Sequence, residues 1–258
     1  MGEQLEIMVA ANAGVVIRSG DTAIFADILE DAGPYPFNRL PDSVLADMER
    51  GENKWRNAQY LIFSHEHPDH FTPALIRRYL AHNTVRRLVV PNRPDKENQS
   101  LIAELKQSRA PVWTLPDQIG QKHTFVLEKG ILLHTACTSH TGNMFQNAAC
   151  HLLLFSLGGK NILLLSDCDD RKPEAYQWLR DVPVDLAFVN PFFFASDTGQ
   201  QCLKQYITPK KVVVYHIPEE SIDKMKVRSV ARQGLAKFGP DYPSAAMADR
   251  LFYPVELP

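Results

Sequence analysis

The sequence predicts the α/β fold class, and three observations carry that prediction. The opening 28 residues read as three short apolar strands separated by tight-turn signals. From Leu61 to Trp113, apolar triplets alternate with stretches of helical periodicity. Beyond Thr124 the strand-rich style returns, now with a Gly158-Gly159 hairpin signal. With 258 residues, 45% of them apolar, the chain can bury a substantial core and still form one domain over 1–258.

Leu5 to Ala10, Gly14 to Arg18 and Thr22 to Ile28 form the first strands, punctuated by Asn12-Ala13-Gly14 and Ser19-Gly20-Asp21. Links this short predict an antiparallel meander. Asp27 closes the third strand, and taken alone it reads as a polar strand end. The passage Ala32-Gly33-Pro34-Tyr35-Pro36-Phe37 then begins a loop reaching Leu40. Such a loop can cover a site at the strand ends, with Tyr35 and Phe37 touching substrate, or its two rings can simply pack it against the body. Pro41-Asp42-Ser43 starts a helix that runs to Arg50 and stops at Gly51.

The next strand is Leu61-Ile62-Phe63, and chemistry arrives where it ends, in Ser64-His65-Glu66-His67-Pro68-Asp69-His70. Alternation along an extended segment aims His65 and His67 the same way, and the turn begun at Pro68 brings Asp69 and His70 beside them. Four such groups against an apolar strand are costly unless something pairs with them. Together they offer enough nitrogen and oxygen for two metal ions.

Helices are expected over Pro73 to Ala81 and Asp95 to Ser108, the latter with Leu101, Ile102 and Leu105 on one face, and strands over Leu88 to Val90 and Val112-Trp113. Arg77, Arg78, Arg86 and Arg87 read as solvated charge. Strands follow at Thr124 to Leu127, Ile131 to Ala136, Ala149 to Ser156 and Asn161 to Leu165. His140 sits in the polar loop Thr138 to Asn143, and Asp167 follows the apolar run Ile162 to Leu165. Asp169 and Asp170 look like the cap of a helix over Glu174 to Arg180, and Cys168 should point away from Asp167. The strand Val184 to Val189 ends at Asn190-Pro191-Phe192, a helix covers Gln201 to Tyr206, and Lys211 to Tyr215 is a strand ending at His216. Phe192 to Phe194 line a pocket wall or pack the core. A helix from Ser221 to Lys237 occupies the tail, and His82, His123, His134 and His151 read as structural or solvent-facing.

Composition excludes several classes. With 28 basic and 30 acidic residues, a formal net charge of −2, there is no sequence-wide basic footprint for nucleic acid and no polybasic membrane anchor. Cys137, Cys150, Cys168 and Cys202 form no C-x-x-C pair, which argues against a disulfide framework or a zinc knuckle. No basic leader precedes an apolar run, and no apolar stretch reaches bilayer length. A cytoplasmic protein with reduced thiols is expected; a homo-oligomer stays open.

The pattern H-x-H-x-D-H at a strand end resembles the signature of the metallo-β-lactamase-fold hydrolase superfamily. The Lys-Pro-type turn at Thr208 to Lys211 makes the sequence most similar to its small intracellular ascorbate-phosphate lactonase-like branch. The resemblance implies a four-layer αββα sandwich with two mixed sheets, and a duplication that no close sequence repeat reveals. It further implies His65, His67 and His140 at one metal, Asp69, His70 and His216 at a second, Asp167 as the bridge, and Asp27 in support. The superfamily usually has Gly before the bridging Asp, where this chain has Ser166.

Two divalent ions are thus expected, zinc first, with manganese, iron or nickel also suited to these donors. The implied activity is hydrolysis of a phosphodiester, lactone or related ester of a small molecule by a metal-bridging hydroxide, with Asp69 and His216 at the chemistry. Asn143, Tyr35, Phe37 and Phe192 are the candidate substrate contacts. The alternatives are an iron-dependent oxidoreductase of the same fold and a non-catalytic metal-binding protein.

Overall fold

A computed structural model describes residues 5–92, 96–107, 111–145 and 147–258. In chain order the elements are β1 (Leu5–Ala11), β2 (Gly14–Ser19), β3 (Thr22–Ala26), α1 (Asp42–Arg50), β4 (Ala58–Ile62), α2 (Pro73–Leu80), β5 (Arg87–Val90), α3 (Lys96–Gln107) and β6 (Val112–Thr114). The second half supplies β7 (Lys122–Glu128), β8 (Ile131–Ser139), β9 (Ala149–Leu157), β10 (Lys160–Leu164), β11 (Leu186–Val189), α4 (Pro191–Ala195), α5 (Asp197–Cys202), β12 (Lys211–Val214), α6 (Val227–Phe238), β13 (Ala246–Met247) and β14 (Tyr253–Val255).

The strands form two seven-stranded mixed sheets, in the orders β14-β1-β2-β3-β4-β5-β6 and β13-β12-β11-β10-β9-β8-β7. Each sheet is built alike, with three antiparallel pairings followed by three parallel ones. The duplication therefore lies in topology. Alternation sorts the side chains into layers. Ile24 and Ile62 of the first sheet meet Leu133, Phe155 and Phe188 of the second in a core between the sheets. Phe25, Leu61 and Leu88 face outward, onto Met48, Ile76 and Leu101 of the first three helices. Leu163, Ala187 and Val212 face α4, α5 and α6 through Phe193, Cys202 and Ala231. The result is the expected four-layer αββα sandwich.

Local chemistry explains the element ends. Gly51, at φ 63°, stops α1 in the left-handed conformation that glycine tolerates. Gly158 and Gly159, at φ 57° and 72°, make the β9–β10 hairpin. Three expectations need correction. The tail helix begins at Val227 rather than Ser221, because the Asp223 carboxylate accepts from the backbone N–H groups of Val227 and Arg228 at 2.8 and 2.9 Å and caps it there. The helix expected over Glu174 to Arg180 is a 3₁₀ stretch, Pro173–Leu179. The helix expected over Gln201 to Tyr206 starts earlier, at Asp197, where the Ser196 hydroxyl accepts from the Gly199 N–H, and passes into a π-turn over Leu203–Ile207. The expected termini Asp95 and Ser108 of α3 lie outside the described residues. No described helix is long and apolar enough to cross a membrane.

Candidate metal centre

The parallel strands β3, β4, β10, β11 and β12 all deliver their carboxyl ends to one edge of the sandwich, the position where α/β sheets place ligands. Three of these exits turn sharply. Asp27, Ser166 and His216 adopt φ of 50°, 49° and 62°, a conformation unfavourable for side chains other than glycine. Strain of this kind persists only where the surroundings hold it. Bonds between the halves supply that hold: Ser64 and Ser166 join through their hydroxyls at 2.7 Å, and the His216 N–H donates to the Asn12 carbonyl at 3.2 Å.

Two clusters of donor atoms result, His65, His67 and His140 in one and Asp69, His70, Asp167 and His216 in the other. Within each, the donor atoms lie within 4.8 Å of one another. Asp167 stands between them. Its Oδ2 lies 3.9 Å from His65 Nε2 and 3.3 Å from His140 Nε2 on one side, and 3.2 Å from His70 Nε2 and 3.5 Å from His216 Nε2 on the other. Asp69 Oδ2 is 3.4 Å from His216 Nε2, and the His65 and His67 ring centroids are 4.8 Å apart.

The surroundings fix which nitrogen faces inward. His140 Nδ1 lies 2.6 Å from the Thr141 carbonyl oxygen and His70 Nδ1 lies 3.0 Å from Asp27 Oδ2, acceptors that require an N–H. The Ser64 hydroxyl donates to Asp27 Oδ2 at 2.6 Å, so it takes the His65 Nδ1–H at 3.0 Å. Asp27 Oδ1 accepts the Ser64 N–H at 2.7 Å. Asp27 and Ser64 thereby set imidazole orientation from behind, the arrangement that tunes metal-ligating histidines.

Residues of this kind fit a cation. His65 Nε2, His140 Nε2 and Asp69 Oδ1 are buried without a hydrogen-bond partner. A carboxylate oxygen facing imidazole lone pairs at these distances is repulsive unless positive charge lies among them. Burial, with the neighbouring histidines adding to it, drives His65 well below its ordinary pKa and His67 down to about 4, keeping both neutral as ligands must be. In the other cluster burial opposes charge on His216, but Asp167 and Asp69 outweigh it and raise the imidazole to about 9. Asp167 itself is held well below the carboxylate range, its burial overcome by the imidazoles, His216 foremost.

The substrate candidates fall out unevenly. Tyr35, Phe37 and Phe192 line a cavity of about 460 Å³ that opens over His67, His140, Asp69, Asp167 and His216. The Phe37 ring packs against His216 at 4.3 Å between centroids, and Tyr35 lies 6.1 Å from His67. Phe193 and Phe194 belong to the core. Asn143 is exposed and does not line the cavity; its Oδ1 accepts from Arg171 at 2.7 Å. Cys168 turns into the core, its sulfur 3.7 Å from Cys150, and burial pushes both thiols up. All four cysteines are free and buried. Asp169 binds Arg171, and Asp170 accepts from the Ser196 and Thr198 hydroxyls. His151 is buried, its Nδ1 2.8 Å from the Ser64 carbonyl oxygen and its Nε2 2.5 Å from that of Pro116, a structural position.

Sequence reasoning did not find Ser64, Met144, Phe145, Met225 or Glu30. Ser64 carried a signal, since it immediately precedes His65. Met144 and Phe145 lie in the segment His140 to Asn147, which could be expected to reach the site, whereas nothing local marks Met225, and the tertiary fold brings all three to the cavity. Glu30 is buried beside the site, its Oε2 accepting from the Ala32 N–H at 2.7 Å, and burial raises it to about 8.

No family model and no curated protein sequence matches the chain. Solved structures do. CmlA, a diiron β-hydroxylase from Streptomyces venezuelae, is similar at 15% identity and TM-score 0.65; the alignment covers 100% of this chain but 55% of CmlA, so the chain spans about half of that protein. A possible metal-dependent hydrolase from Veillonella parvula aligns over 97% of this chain and 98% of its own at 15% identity and TM-score 0.64. Human tRNase Z, short form, aligns over 99% of this chain and 100% of its own at 12% identity and TM-score 0.59. The architecture of this chain is the metallo-β-lactamase fold, and its structural neighbours include metal-dependent hydrolases.

Proposed function

We propose that this chain is a dinuclear metal-dependent hydrolase of a small-molecule ester, with zinc the first candidate metal, on the pattern of the lactonase-like branch. His65, His67 and His140 would hold one ion, Asp69, His70 and His216 the other, with Asp167 shared. The observation that carries the reading is the Asp167 oxygen, placed 3.2–3.9 Å from imidazole nitrogens of both clusters. Bound divalent ions would supply an activated water near neutral pH and polarise the ester oxygen.

The chain's own residues do the rest. Asp27 and Ser64 keep the inward nitrogens of His70 and His65 available. Asp69 and His216 line the floor of the cavity, where an ester would meet them, and Asp69 holds His216 in place at 3.4 Å. Phe37, packed on His216, limits water around the reacting bond.

An iron-dependent oxidoreductase is the second reading. The same nitrogen and oxygen donors suit iron, and CmlA, a diiron β-hydroxylase, has a similar fold. Metal-loaded protein offered carboxylic esters, lactones and a phosphodiester separates the two. Turnover that disappears on chelation, returns with zinc and needs no oxygen supports hydrolysis. Asp69→Ala should stay folded and lose turnover by orders of magnitude. Turnover unaffected by chelation would contradict the proposal, and iron-dependent oxygen consumption would favour the second reading.

A further inference from the structure

The walls of the cavity differ in kind from its floor. Among the described residues, the exposed large hydrophobics are Ile119, Val126, Met144, Phe192 and Met225. Three of these five, Met144 at 89%, Phe192 at 42% and Met225 at 47% exposure, line the one cavity above the donor clusters. Tyr35, Phe37 and Phe145 complete its aromatic sides. Apolar side chains left this open are a cost in water unless something covers them, and their gathering around one opening marks a binding surface.

Charge sharpens the point. No described Lys or Arg lines the cavity. Lys224 and Lys226 flank Met225 in the chain without lining it, and Arg171, reached through Asn143, is bound by Asp169. A polyanion such as a nucleic acid needs cationic side chains along its phosphates, and these walls offer none. About 460 Å³ lies within the range of small-molecule sites. Two methionines at the rim, unbranched and adaptable, suit aliphatic groups of varying length.

We infer that the substrate is an uncharged carboxylic ester or lactone bearing an aliphatic or aromatic group, which the Met144, Phe192 and Met225 wall covers while the ester meets Asp69 and His216. This inference rests on the hydrolase reading for the reaction, and on the cavity alone for the apolar group. Hydrolysis cleaves the acyl C–O bond; water supplies the hydroxyl to the acid and the proton to the alcohol.

Two series test it on zinc-loaded protein. The first measures kcat/KM for p-nitrophenyl esters from acetate to decanoate, beside bis(p-nitrophenyl) phosphate. The second measures binding of straight-chain hydroxamates of the same lengths by calorimetry, with no turnover required. Each added methylene should raise kcat/KM and binding roughly three- to fourfold until the cavity is filled, and the phosphodiester should trail the longer esters. The Met144→Ser, Met225→Ser double variant should flatten both series while keeping its metal. Length-independent binding and turnover, or a preferred phosphodiester, overturns the inference and leaves the hydrolase reading standing. Length-dependent binding without hydrolysis of any probe upholds the apolar subsite and removes the hydrolase reading.

Discussion

Asp27→Asn replaces one carboxylate oxygen by an amide nitrogen and should disable one metal position. Asp27 Oδ2 accepts the Ser64 hydroxyl at 2.6 Å and lies 3.0 Å from His70 Nδ1, while Oδ1 accepts the Ser64 N–H at 2.7 Å. An amide keeps the Oδ1 bond but sets N–H groups against two donors. His70 can then satisfy the amide only by presenting its Nδ1 lone pair, which puts the proton on Nε2, where a cation would bind. A charge-assisted bond is worth about 1.5–3 kcal/mol, and substitutions behind a metal-ligating histidine typically weaken metal binding about 10–100-fold. We therefore expect Asp27→Asn to lose about 3 kcal/mol of stability, a fall in Tm of roughly 6–12 °C at this size. Its metal content should drop from two equivalents toward one, the His70 position going first, since Asp27 meets His70 directly and His65 only through the Ser64 hydroxyl. Competition with a chelator of known affinity reads the loss directly, with circular dichroism confirming the fold. A variant that retains both ions at wild-type affinity refutes the argument.

Other consequences follow from particular residues. Glu30, raised to about 8 in the folded chain from an ordinary 4.5, keeps its proton on folding while the unfolded chain loses it. Stability of the metal-free protein should therefore fall as pH rises from about 4.5 to 8 and then level off, by a few kcal/mol at about 1.4 per unit. Glu30→Gln should flatten that slope in denaturant titrations, and an unchanged slope would remove Glu30 as its source. Ser166 carries a left-handed backbone, worth roughly 1–2 kcal/mol to a glycine, and a hydroxyl bond to Ser64 of about 1 kcal/mol. Ser166→Gly should accordingly melt near wild type and Ser166→Ala clearly below it; two variants that melt equally far below wild type would show that the hydroxyl, not the backbone, dominates. Replacing Tyr35 and Phe37 together by Ala should shift relative kcat/KM across esters more than it shifts metal content. A double variant that loses metal while its substrate ranking stays fixed would make those rings part of the scaffold.

How much of this was legible in the sequence depended on the range of the interaction. The H-x-H-x-D-H run is local, so strand, turn and donors could be read together from Leu61 to His70. His140, Asp167 and His216 were each legible as a polar residue following an apolar strand, and the fold brings all three to the same edge. The strands β13 and β14 were not legible. Ala246–Met247 and Tyr253–Val255 are too short for any alternation to register, and they exist because β12 and β1 offer unpaired edges. The strained exits at Asp27, Ser166 and His216 leave no local trace either, although Ser166, standing where the resembling superfamily has Gly, pointed at one of them. Asn143 misled because a polar loop residue beside His140 resembles a substrate contact, whereas its partner is Arg171, 28 positions away.

The central claim is that Asp167 and the six side chains around it form one two-metal centre. Elemental analysis of purified protein, after dialysis against trace-metal-free buffer, tests it most directly, with His67→Ala measured in parallel. The account predicts close to two equivalents of transition metal in the wild type and the loss of at least one of them in the variant, since His67 belongs to one of the two clusters. Metal at background in the wild type, or a variant indistinguishable from it, would contradict the account.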